Sequence, residues 1–214
     1  MEVPDGTDLA SATSALIKSL RRGREVEALY WAQQMEARYW RYVFRRLAVF
    51  ATEDVGLADP QAVVIVASVR TLYEQGKTES RAPRPDGSLL SFVVLYLARA
   101  PKSREADDLT NAVGRLRLDE GWRPDVPAEA VDMHTAEGRA AMSEDDRMRH
   151  WFTEGSVLVG AVGPYDWKLW LRRWAVRQGW LDGDQVEAEA EAWDADGLLR
   201  YGTDGYLRRP EWDR

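Results

Sequence analysis

Glu53 and Asp54 are the carboxylates whose setting suits chemistry. They stand side by side in residues 42–61, YVFRRLAVFATEDVGLADPQ, pressed with Thr52 into an otherwise apolar passage. Paired carboxylates can do acid–base work or hold a cation. Together with His134 they form the one set from which an enzyme reading can be built. The same pair can serve the fold instead, accepting hydrogen bonds from free N–H groups of a turn or meeting a guanidinium such as Arg45 or Arg46. No recognised catalytic spacing accompanies the pair, so the structural role is the expectation.

Other chemistries have less support. Gly76-Lys77-Thr78 looks like the end of a phosphate loop, but the glycine needed five residues earlier is Thr71, inside a helix-like run. The expectation there is a helix end capped by Gly76. There are two histidines, His134 and His150, no HExxH pattern and no cysteine, which leaves no metal-ligand spacing, disulfide or thiol nucleophile. There is no GxSxG elbow. No catalytic residue, cofactor or metal is assigned.

Lys18, Arg21, Arg22, Arg45 and Arg46 are the nucleic-acid candidates. Their alternative is a solvated face paired with Glu25 and Glu27. The net charge of −7 argues against bulk electrostatic binding of nucleic acid. Charge is uneven, though: residues 15–50 carry eight basic and three acidic side chains, and residues 182–199 carry seven acidic and no basic ones. In the tail, Tyr165, Trp167, Trp170 and Trp174 interleave with Lys168, Arg172, Arg173 and Arg177, a pattern that can stack on bases. The spacing of Trp167, Trp170, Leu171 and Trp174 points instead to a buried helix face.

These residues need helices to position them. Asp8 can cap a helix with Leu9, Ala12, Leu16, Ile17 and Leu20 inward, after a loose lead-in over residues 1–8. A second helix, residues 25–37, should bury Val26, Leu29, Tyr30 and Met35. A third starts near Tyr39 and runs to a tight turn broken by Gly56. Asp59 then serves as N-cap and Pro60 as first helical residue of a fourth, buried on most sides through Val63–Val66. After a proline-marked loop come an apolar helix over residues 89–100, and another over 103–120 with Leu109, Val113, Leu116 and Leu118 inward. This reads as an all-α fold of about six helices plus a helical C-terminal extension. The expected divisions are residues 1–127, a connector at 128–159, and a Trp-rich amphipathic and acidic extension at 160–214, ending in a hairpin around Asp204-Gly205. No run of 18 apolar residues marks a membrane span, and the acidic N-terminus is unlike a signal peptide, so the expected location is cytoplasmic.

The block SALIKSLRRG…EALYWAQQM…FRRLAVFATEDVGLADPQAV…LYLARAPKS closely resembles the C-terminal region of the replication-associated recombination protein A (MgsA) family. These are bacterial clamp-loader-like AAA+ ATPases related to the Werner-helicase-interacting protein. The likeness covers residues 14–118, and DMHTAEGRAA…HWFTEGSVL looks like the continuation in some members. It implies a helical collar that follows an ATPase module and drives tetramer formation, in proteins acting at stalled forks and single-stranded gaps. No Walker A loop, Walker B strand end or arginine finger accompanies it here. The segment at 81–91 and the tail from Gly160 depart from the family pattern. The implied role is a non-catalytic oligomerisation and interaction domain in DNA replication, repair or recombination. The resemblance implies a homo-oligomer, with a separate AAA+ ATPase as a further expected partner and DNA as a weak one. Glu53, Asp54, Gly56, Asp59 and Pro60 are its expected structural signature. The alternative is a DNA-binding accessory module using the basic N-terminal helices.

Overall fold

A computed structural model describes residues 1–78, 87–163, 165–200 and 202–203. The hairpin expected at Asp204-Gly205, and most of the departing segment at 81–91, lie outside them. The described residues form helices joined by loops, with one isolated bridge between Glu2 and Asp8 and no extended strand among them. They form two compact units, Met1–Arg123 and Pro124–Arg214.

The first unit packs four helices around one core. Helix α1 (Leu9–Arg21) is capped by Asp8, whose carboxylate accepts from the Ala10 and Ser11 amides at 2.9 and 3.1 Å. Its stripe of Ala12, Leu16, Ile17 and Leu20 is buried, as its spacing predicts. The lead-in is pinned rather than loose. Val3 is a core residue, the Leu9 amide donates to Met1 O at 2.8 Å, and Arg38 and Tyr39 donate to Glu2 O.

The second and third expected helices are one kinked element, α2 (Glu25–Phe50). Its break is Tyr39, with φ −133° and ψ 38°. Before the kink the inward residues are Ala28, Ala32 and Met35; after it they are Val43, Phe44, Leu47 and Phe50. Val26 and Tyr30, expected inside, face solvent, because the Ala28–Ala32–Met35 stripe points away from them. Helix α3 (Gln61–Thr78) buries Ala62, Val66, Val69 and Tyr73 at i, i+4, i+7 and i+11. This stripe is the fully buried face, with Ile65 packed at its edge. Val63 and Val64 are exposed, which corrects the expectation of burial on most sides. The helix also runs through Gly76 to Thr78, so Gly76 is not its cap, and Lys77 pairs with Glu36 at 3.2 Å. Helix α4 (Gly87–Arg99) contributes Leu90, Val93, Val94, Leu97 and Ala98 to the core.

Helix α5 (Glu105–Asp119) has no buried residue. Leu109, Val113 and Leu118 are exposed, at 63%, 42% and 73%, and Leu116 is half-buried. Their helical spacing is intact. The face they form has no cover within the unit, contrary to expectation.

The second unit holds two short helices, α6 (Ala136–Ala141) and α7 (Glu144–His150), then α8 (Asp166–Arg177) and α9 (Gly183–Ala195). The residues expected as a connector are therefore partly helical. Leu169, Val186, Ala190 and Leu199 make its small core. The inward face of α8 is Asp166, Leu169, Arg172 and Ala175, whereas Trp167 and Leu171 are exposed. The face chosen by the tryptophan spacing is therefore not the buried one. Burial of Arg172 is tolerated because its Nε lies 2.6 Å from Glu189 Oε2 and its Nη1 donates to Phe152 O at 2.9 Å. Arg173 pairs with Glu187 at 2.5 Å, and this guanidinium holds the Glu187 carboxyl below its ordinary range. The acidic helix α9 thus neutralises its own neighbour.

Candidate functional site

Between Phe50 and Gln61 the chain makes one wide π-helical turn, Ala51–Val55, and one 3-10 turn, Gly56–Ala58. The wide turn carries Asp54 inward, to 3% exposure. There it meets two guanidinium groups. Arg21 at the end of α1 donates from Nε to Oδ1 at 2.7 Å and from Nη2 to Oδ2 at 3.1 Å. Arg104, just before α5, donates from Nη1 to Oδ1 at 2.8 Å. Arg104 also bonds Asp107 in the first turn of α5. One carboxylate therefore ties α1, the turn and the base of α5 together.

The turn's backbone completes the clamp. Ser103 N donates to Asp54 O at 3.0 Å and to Val55 O at 3.2 Å. This close approach needs Gly56, which has φ +52°; a Cβ there would stand 2.7 Å from Ser103 O. Asp59 accepts from the Gln61 amide at 3.2 Å and also takes a hydrogen bond from the Tyr96 hydroxyl, which raises the Tyr96 pKa. Pro60 lies one residue before the observed start of α3. Lys102 donates to Ala98 O and Ala100 O at 3.0 and 2.7 Å, satisfying carbonyls at the end of α4. Burial pushes its ammonium pKa down, against the pull of the Asp54 charge. Asp59, Phe92, Leu95, Tyr96, Arg99 and Ala100 line an open cleft of about 410 Å³.

The five signature residues are thus placed around one turn, but the pair at its centre behaves unequally. Asp54 meets Arg21 and Arg104, not Arg45 or Arg46. Glu53 is half-buried and its side chain forms no hydrogen bond or ion pair among the described residues. Both Asp54 oxygens are held by guanidinium groups, which leaves the carboxylate poorly placed to act as a base. No cluster of metal-ligating side chains occurs among the described residues.

The five basic candidates do not form one group. Arg21 is committed to Asp54, and Arg22 donates to Lys18 O at 3.1 Å beside it. Glu25, expected to pair with them, is bound bidentately by Arg99 at 2.8 and 3.0 Å. Arg46 is half-buried, with a Nε that has no hydrogen-bond partner among the described residues. Arg45 lines a different cavity, of about 400 Å³, with Arg41, Tyr42 and Arg70. Sequence reading missed Arg104, which directly follows the matched LYLARAPKS block, and Arg41 and Arg70, which come together only when α2 packs on α3.

The Glu25–Arg99 pair makes a pH prediction. Arg99 holds the Glu25 carboxyl below its ordinary value. A depressed carboxylate contributes stability above its unfolded pKa, and that contribution is lost as pH falls through the folded one. Glu25→Gln should therefore lower the urea midpoint slightly at pH 6 and leave it unchanged at a pH acid enough to protonate the carboxyl in the folded state as well. Equal losses at both pH values would show that the carboxylate charge is not what matters.

The class defined here is an all-helical domain with a clamped turn at its centre and an outlying helix tied to it. The chain belongs to the MgsA AAA+ ATPase C-terminal family, whose model matches residues 25–157. It is 35% identical over 133 residues to the replication-associated recombination protein A of Bacillus subtilis, covering 61% of this chain and 30% of that one. An uncharacterised AAA domain-containing protein of Mycobacterium tuberculosis is 35% identical over 167 residues, covering 76% of this chain and 35% of the relative. The replication-associated recombination protein A of Haemophilus influenzae is 36% identical over 93 residues, 42% of this chain and 20% of that one. The chain thus spans about a third of the length of its first two relatives. No described helix is long and apolar enough to cross a membrane.

Proposed function

We propose that the chain is a non-catalytic oligomerisation and interaction domain, serving AAA+ ATPase modules in DNA replication, repair or recombination. The observation that carries this is the uncovered face of α5. Ala106, Leu109, Val113 and Leu116 recur at intervals of three, four and three, the seam spacing of a two-helix coiled coil. The helix is anchored at its base by Arg104 and offers its seam to solvent.

The seam is self-complementary. In an antiparallel pair, where a positions face d positions, Leu109 meets Val113 of the partner subunit and Ala106 meets Leu116 of the partner subunit. The acidic first turn, with Glu105, Asp107 and Asp108, then faces the end that carries Arg115 and Arg117. One such contact closes a two-fold dimer. A tetramer needs a second interface, and Val63, Val64 and Leu72 on α3 are exposed to supply it.

Light scattering on the full chain tests this reading. The wild type should show a multiple of 24.4 kDa, with a tetramer as the expected end state. A Leu109→Glu, Val113→Glu variant should fall to a smaller species with its far-UV circular dichroism unchanged, because neither residue is buried within the subunit. A wild type that is monomeric at every concentration, or a variant that keeps the wild-type mass, would overturn it.

The alternative DNA-binding reading loses Arg21 to the clamp, and Lys18 and Arg22 do not converge with Arg45 on one cavity.

A further inference from the structure

Arg172 on α8 is 7% exposed, and its contacts leave part of it unused. A guanidinium carries five N–H donors. One on Nη1 goes to Phe152 O at 2.9 Å, one on Nη2 goes to Glu189 Oε1 at 2.9 Å, and Nε lies 2.6 Å from Glu189 Oε2. The second N–H on each Nη has no acceptor among the described residues. Buried donors left unpaired cost free energy, so they mark a place for an acceptor.

Arg172 lines a pocket of about 170 Å³ in the second unit, with Phe152, Ser156, Lys168, Gln185 and Trp193 on its walls. Lys168 Nζ lies 5.2 Å from the Tyr165 ring centroid and 5.4 Å from that of Trp193, and it forms no hydrogen bond or ion pair among the described residues. The Ser156 hydroxyl and the Gln185 side-chain amide have no partner among them either. Glu189 is the one carboxylate on the walls, and Arg172 neutralises it. The pocket therefore keeps one positive charge without a counter-charge, on Lys168, beside unused donors and two aromatic rings.

That balance selects a ligand. A single negative charge offsets Lys168, whereas a phosphate group of charge about −2 would leave an excess beside Glu189. A carboxylate has two oxygens, enough to accept from Lys168, Arg172 and Ser156 together. At about 30 Å³ per water the volume matches about six waters, which suits a small organic acid and not a drug-sized ligand.

We propose that this pocket binds a small monocarboxylate with a short apolar body, its carboxylate between Lys168 and Arg172 and its body against Phe152 and Trp193. The site lies wholly within the second unit, and its α8 and α9 residues lie beyond residue 157, where the match to the family model ends. It does not depend on self-association through α5. Occupancy links the turn Trp151–Gly155 to α8 and α9, so the ligand stabilises this unit as it binds.

The test titrates the full chain with benzoate and with isovalerate by calorimetry, with benzamide as the uncharged match for benzoate. At least one of the two acids should bind with a Kd of about 1 mM or tighter. Benzamide should bind at least about tenfold more weakly than benzoate, because it lacks the charge that Lys168 attracts. Lys168→Gln should weaken the acid by about tenfold, and Lys168→Arg should restore most of the binding. Lys77→Gln, on α3, should bind like the wild type. Saturating acid should slow hydrogen exchange in α8 and α9 and leave α1 to α4 unchanged. Because Gln185 is exposed, Gln185→Glu keeps the test valid if Lys168→Gln does not fold. It sets a negative charge on the pocket wall and should weaken the acid without affecting benzamide. No binding of either acid, equal binding of benzamide, or wild-type affinity in the Lys168→Gln and Gln185→Glu variants would overturn the proposal. So would tighter binding of inorganic phosphate, which would mark a phosphate site.

Discussion

Replacing Asp54 with alanine is expected to destabilise the first unit by about 3 kcal/mol, in the range for removing one partner of a buried charge pair. The side chain is almost fully buried and accepts three hydrogen bonds from two guanidinium groups. Its removal takes away charge-assisted bonds worth about 1.5–3 kcal/mol each and leaves a void at the turn. The loss falls short of their sum because Arg21 and Arg104 are 41% and 43% exposed and rehydrate once released. Hydrogen exchange at the Leu47 and Phe50 amides reports it directly. About 3 kcal/mol means exchange faster by roughly a hundredfold. Arg21→Ala and Arg104→Ala should each cost about 1 kcal/mol, since each leaves the carboxylate one cationic partner. An Asp54→Ala protein with wild-type exchange rates would show that the clamp is ornamental and that apolar packing alone holds the turn.

The second large effect is expected at Gly56. Its φ of +52° with ψ −134° lies in a region that L-residues hold only under strain of about 1–3 kcal/mol. In addition, a Cβ would press to 2.7 Å against Ser103 O, a backbone atom fixed by its residue's two hydrogen bonds to Asp54 O and Val55 O. Gly56→Ala should therefore cost about 3 kcal/mol in total. It should also loosen the start of α5 more than the four-helix core. Amides at the base of α5, from Asp108 onward, should lose protection first, followed by those of α2. If the cost is below about 1 kcal/mol, the Ser103 segment yields easily and the close approach is not what requires glycine. Because α5 carries the proposed seam, this variant should also weaken self-association although it touches no seam residue.

The helices themselves were legible from local pattern. The stripe of α1 with its Asp8 cap, the apolar run of α4 and the Asp59 capping geometry follow from spacing and cap chemistry that act within a few residues. Family membership was legible too, because it lies in ordered sequence blocks rather than in any contact. Errors arose where two phases of a stripe competed. Val26 and Tyr30 share helical spacing with the core residues of α2, yet only packing against α1 selects Ala28, Ala32 and Met35. In α8 the tryptophans define the stronger stripe by hydropathy. Leu169 and Arg172 are nonetheless buried, because Glu189 on α9 supplies the counter-charge that makes an inward arginine tolerable.

The sequence by itself determined an all-α chain, the position of its central turn and its place in the MgsA C-terminal family. Helix periodicity, capping residues and Gly56 are local quantities that need no partner to be read. Only the tertiary structure decided that Asp54 is clamped by Arg21 and Arg104, 33 and 50 residues away in the chain, and that Glu53 is not. It also decided that α5 presents its leucines outward and that Arg45 shares a cleft with Arg70. Ion pairing and burial depend on which faces meet, and faces meet through long-range packing that neighbouring residues do not encode.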